Sequence, residues 1–173
     1  MRNDLRTCEI VEGQMLTTNI YYGLLVALAI AVTYAAVSDI RSRTIANWLN
    51  AGIALLAPVF WWASGMALWP DIALQLGVAV VVFACLCGLF AVGGMGGGDV
   101  KLITALALWI EPLVFLQFLL VMVIAGALLS IIVGIIQLIR GRKERLSVPY
   151  GVAIAVGALW VLYPKLAAIP GFA

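Results

Sequence analysis

The sequence predicts an all-α membrane protein, a bundle of about six transmembrane segments. Three observations predict it. Of 173 residues, 65% are hydrophobic and 10% charged, whereas soluble domains carry about 25% charged residues, so polar side chains are too few to cover a water-facing surface. Mean hydropathy is +1.17. Polar breaks also divide the chain into six apolar stretches, roughly 18–38, 48–63, 72–93, 100–110, 113–139 and 149–169. Lipid solvates apolar side chains directly, and a helix satisfies its own backbone there. The expected organisation is one membrane-embedded domain over 18–173, behind a polar and poorly ordered lead-in over 1–17.

The first stretch follows Arg2 and Arg6 but has no short apolar core with a small-residue cleavage site, so it reads as a span rather than a cleaved signal. The second ends near Trp61, Trp62 and Trp69, indoles that suit an outer headgroup region. The third holds Cys85 and Cys87, read as small packing residues. With Cys8 they form neither a disulfide framework nor a metal knuckle, and no metal or cofactor is expected. The fourth is too short to cross unless tilted or set in thin bilayer, and Glu111-Pro112 ends it. The fifth exceeds the usual 20 or so residues, an excess that tilt absorbs. The sixth opens after a basic break at 140–147.

Orientation follows from basic residues. With the chain starting outside and crossing six times, Arg41, Arg43, Lys101, Arg140, Arg142, Lys143 and Arg145 share one side, which the positive-inside rule makes the cytoplasm. The opposite breaks, around 64–71 and 111–112, carry no Lys or Arg. A net charge of +2 is too weak to indicate nucleic acid, and the chain has no histidine, the usual base near neutral pH.

Acid–base chemistry therefore falls to other groups, and charge at membrane depth is costly enough to mark function. Six of the eight acids lie in polar surroundings: Asp4, Glu9 and Glu12 in the lead-in, Asp71 and Glu111 in outer breaks, Glu144 in the basic loop. Asp39 and Asp99 instead border long apolar runs, sixty residues apart and at one depth. Two close carboxylates share a proton, a state suited to hydrolysis: one activates water while the other protonates a carbonyl oxygen. The bland alternative pairs each acid with Arg41, Arg43 or Lys101. Gly93-Gly94-Met95-Gly96-Gly97-Gly98 before Asp99 makes a poor helix. It is expected to form an irregular backbone lining a wet cleft, where an extended substrate could pair.

Three stretches together resemble the type IV prepilin peptidase family of intramembrane aspartyl proteases. They are Asp39-Ile40-Arg41-Ser42-Arg43-Thr44-Ile45-Ala46-Asn47-Trp48, Gly96-Gly97-Gly98-Asp99-Val100-Lys101-Leu102 and Pro149-Tyr150-Gly151-Val152-Ala153-Ile154-Ala155. The second is similar to the family's G-x-G-D-x-K-L motif, and the likeness covers about residues 20–165. Ala46 stands where the family usually has proline, which implies a less rigid turn. The resemblance implies Asp39 and Asp99 as the catalytic dyad, with Gly96 and Gly98 shaping the active-site loop. It offers Asn47, Lys101 and Tyr150 as substrate contacts. It implies a prepilin substrate with a short basic leader, cut at the cytoplasmic face of a bacterial inner membrane. The chain lacks the length and cysteines of members with an N-methyltransferase segment, so it is similar to the short, peptidase-only enzymes of Flp-type (tight adherence) pili. Archaeal preflagellin peptidases are also short. Presenilin-like G-x-G-D proteases normally carry tyrosine where this chain has Ser38. A small transporter binding protons or cations on the two acids is the alternative from another class, although the paired repeats common in transporters are absent. A non-catalytic membrane scaffold is a third.

Overall fold

The computed structural model describes residues 2–140 and 148–169, with side chains over 12–139 and 148–169. Six α-helices follow in the order the polar breaks predict: α1 (Arg2–Ser42), α2 (Asn47–Ala63), α3 (Ala73–Ala91), α4 (Gly97–Ala107), α5 (Pro112–Arg140) and α6 (Tyr150–Ala167). A short wide helical turn, Leu68–Ile72, leads into α3. No strand occurs among the described residues. The chain is a multi-pass membrane protein, with four helical stretches long and apolar enough to cross: Glu12–Ser42, Leu68–Ala91, Pro112–Ile139 and Tyr150–Ala167.

The lead-in differs from expectation, because α1 runs without a break from Arg2. Nothing in 2–17 stops a helix, and the Thr17 and Thr18 hydroxyls donate back to the Gly13 and Gln14 carbonyls, as helical threonines do. Most of the basic 140–147 break, with Arg142, Lys143, Glu144 and Arg145, lies outside the described residues, as do the side chains of Arg140, Cys8, Asp4 and Glu9.

The core is built around α4. Leu102 and Leu106 on its inner face are fully buried, and Val32 and Ala35 of α1 and Ala158 of α6 are equally enclosed. At 11 residues, α4 is only about 16 Å long, roughly half of a 30 Å hydrocarbon layer. Backbone N–H groups of Leu108, Trp109 and Ile110 serve the Ala105 and Leu106 carbonyls, and the carbonyls that follow need other donors inside a bundle. Side chains supply the donors: Gln75 Nε2 donates to the Ala107 and Ile110 carbonyls at 2.7 Å each, and Trp61 Nε1 to the Leu108 carbonyl at 2.7 Å. Trp61 is thus 8% exposed and structural, not an interfacial anchor as the sequence implied, whereas Trp62 and Trp69 are exposed as expected.

Phe60 stacks between Tyr21 and Trp109, with ring centroids 5.4 and 4.8 Å away, joining α1, α2 and the end of α4. At the opposite end Asn50 of α2 meets Gly98 of α4, so α2 and α4 run parallel. The α5–α6 crossing is close: a Cβ at Gly157 would lie 2.9 Å from the Phe118 carbonyl oxygen.

Candidate active site

Asp39 occupies the last turn of α1, Asp99 the first turn of α4, and Gly151 the first turn of α6. Alternating helix directions bring all three to one end of the bundle. Asp39 is 7% exposed, a buried acid among apolar neighbours. The backbone N–H of Gly151 donates to its Oδ2 at 2.7 Å. That contact joins residues 112 positions apart and sets Asp39 against the positive end of α6. Asp99 is partly buried, its carboxylate accepting a hydrogen bond from the Gly96 backbone, and it lies near enough for the charge of Asp39 to act on it.

Local structure fixes each acid from a different side. The Ser38 hydroxyl donates to the Thr44 carbonyl at 2.9 Å, and the Arg43 N–H to the Asp39 carbonyl at 3.0 Å. Arg43 takes a left-handed φ of 55°, ending α1 one turn after its acid. Around Asp99, Asn50 Nδ2 donates to the Gly98 carbonyl at 3.3 Å, and Gly98 packs on Ile45, where a Cβ would approach the Ile45 side chain to 3.3 Å. The α1–α2 turn that follows the first acid therefore also buttresses the second. Asn50 Oδ1 is buried with no hydrogen-bond partner among the described residues.

The glycine run is less irregular than its composition implies. Gly96 is extended and caps α4, but Gly97 and Gly98 already belong to the helix. The irregular backbone is confined to 92–96, where Gly93, at φ 73°, ends α3 with the Gly94 N–H reaching back to the Leu89 carbonyl. The helix extends to Gly97 because the backbone there is supported: Phe90 covers Gly97 while Ile45 and Asn50 hold Gly98.

Asn47 and Lys101 are brought together: Lys101 Nζ donates to Asn47 Oδ1 at 2.9 Å, on the exposed rim. The lysine thus engages an amide neighbour. Tyr150, also exposed, lays its ring against Gly126 of α5. Gly151 and Asn50 were absent from the sequence-level site. Gly151 lay within a motif-like stretch but has no side chain to attract attention, and Asn50 lay inside an apolar run near the motif end. Cys85 and Cys87 of α3 are free thiols, the first exposed and the second half-buried, and no cluster of metal-ligating side chains occurs among the described residues.

A cavity of about 650 Å³ opens at the other end of the bundle, lined by Tyr21, Tyr22, Asp71, Gln75 and the Glu111–Lys165 ion pair. It is remote from both dyad candidates.

The model of the type IV leader peptidase family matches residues 26–135, a stretch holding both Asp39 and Asp99. No curated protein and no solved structure matches the chain.

Proposed function

The chain belongs to the type IV leader peptidase family, and from that premise we propose that it is a membrane aspartyl endopeptidase removing the short basic leader from type IV prepilins. The observation that carries this reading is the pair Asp39 and Asp99, brought from distant helices to one end of the bundle within electrostatic reach. The ionised acid takes a proton from a bound water, and the resulting hydroxide attacks the scissile carbonyl carbon. The protonated acid gives its hydrogen to the carbonyl oxygen. Collapse of the tetrahedral intermediate breaks the C–N bond, and the amine leaves with a proton from the pair. The proton count belongs to the two residues jointly.

Gly96 and Gly98 shape the approach to Asp99, and the Asn47–Lys101 pair and Tyr150 border it as substrate contacts. Positive charge on the flanking breaks supports a cytoplasmic position for this end in a bacterial inner membrane, with residues 18–173 as one catalytic domain. The resemblance to the short enzymes of Flp-type pili makes a Flp-type prepilin the substrate of this reading.

Co-expression with a candidate Flp-type prepilin provides the test. Asp39→Asn and Asp99→Asn should each leave uncleaved precursor, a loss of at least about a hundredfold, while both variants still accumulate in the membrane. Full processing by either variant would reject the dyad.

A further inference from the structure

We infer that the Gly151 N–H is a positioning group for Asp39, holding Oδ2 so that Oδ1 is presented to the attacking water. The inference rests on the dyad reading above and deepens it by distinguishing the two oxygens of one acid.

Two independent features of position 151 carry it. Its amide makes a short, buried hydrogen bond to Asp39 Oδ2, at 2.7 Å. Residue 151 also cannot carry a side chain without displacing that acid: a Cβ would lie 2.8 Å from Asp39 Cβ and 2.9 Å from Oδ2. An amide in the first turn of a helix has no intrahelical acceptor, so its donor is available, and its direction is fixed by the helix. Asp39, at the end of α1, would otherwise swing about its side-chain torsions. Reaction geometry is sensitive at this scale, since a misplacement of about 1 Å costs on the order of a hundredfold in rate.

The leader and the mature helix of a substrate do not need Gly151, which is buried. Its effect should therefore fall on turnover rather than on binding. With purified full-length protein and a prepilin, Gly151→Ala should lower kcat by about 10- to 100-fold with KM within about twofold of wild type. Unchanged kcat, or a fall matched by an equal rise in KM, would overturn the proposal.

If Gly151→Ala does not accumulate, two variants at the acceptor decide instead. Asp39→Asn keeps an oxygen for the Gly151 N–H, whereas Asp39→Leu has similar shape and none. The Leu variant should melt roughly 2–4 °C or more below the Asn variant; equal melting would overturn the contact. Absence of cleavage by wild-type protein would sink the protease reading, and the melting comparison would still decide the Gly151–Asp39 interaction.

Discussion

Ala46 stands where the resembling family carries proline, yet its backbone, at φ −64° and ψ 134°, already has the angles proline imposes. Its amide makes no hydrogen bond among the described residues. The expected loosening of this turn is therefore offset by the Ser38–Thr44 bond and by Ile45 packing on Gly98. Ala46→Pro should raise stability by about 0.4–1 kcal/mol, chiefly by restricting the unfolded chain; thermal melting in detergent checks it. Gln75 illustrates the opposite sign. It is 3% exposed and its amide serves two carbonyls at the end of α4. Gln75→Met keeps the volume and leaves those carbonyls unmet, so a loss of about 1–3 kcal/mol is expected in the same assay. Both acids of the site could be picked from the sequence, because a carboxylate beside an apolar run stands out. Gly151, Asn50 and Gln75 could not: their roles lie in backbone donors and carbonyls that become neighbours only after the helices pack.

Helices were legible at the level of elements wherever polar residues punctuate apolar ones. Their ends were less so. The glycine run looked unfit for helix by propensity, but tertiary cover from Phe90, Ile45 and Asn50 lets α4 begin two residues before Asp99. The lead-in looked irregular by polarity, although polarity alone does not stop a helix. Trp61 looked interfacial because indoles often are, and the missing information was an orphan carbonyl at Leu108. The α5–α6 contact gives the clearest element-level prediction. A methyl at Gly157 meets the main chain of Phe118 rather than a movable side chain. Gly157→Ala should force the helices apart and destabilise the bundle by about 1–3 kcal/mol, seen as a lower melting temperature, whereas Gly134→Ala, with open space around it, should not be destabilised.

For the molecule as a whole, charge asymmetry predicts an orientation that labelling from either side of the membrane tests. Met66 follows α2 at one end and Met95 precedes α4 at the other. In a background with Cys8, Cys85 and Cys87 replaced, Met95→Cys should react with an impermeant maleimide only from the cytoplasmic side and Met66→Cys only from the outside. The reverse pattern would invert the proposed topology and move the dyad to the outer face.

The brevity of α4 has a consequence for the surrounding lipid. Its first turn is level with Asn50, the fourth residue of α2, so Asp99 lies about one turn in from the end at which α2 begins. Matching the hydrocarbon slab to so short a central helix is easier when acyl tails are short. Reconstituted into vesicles of graded chain length, the enzyme should turn over faster in 14-carbon than in 20-carbon phosphatidylcholine, with water reaching the acids across less oil.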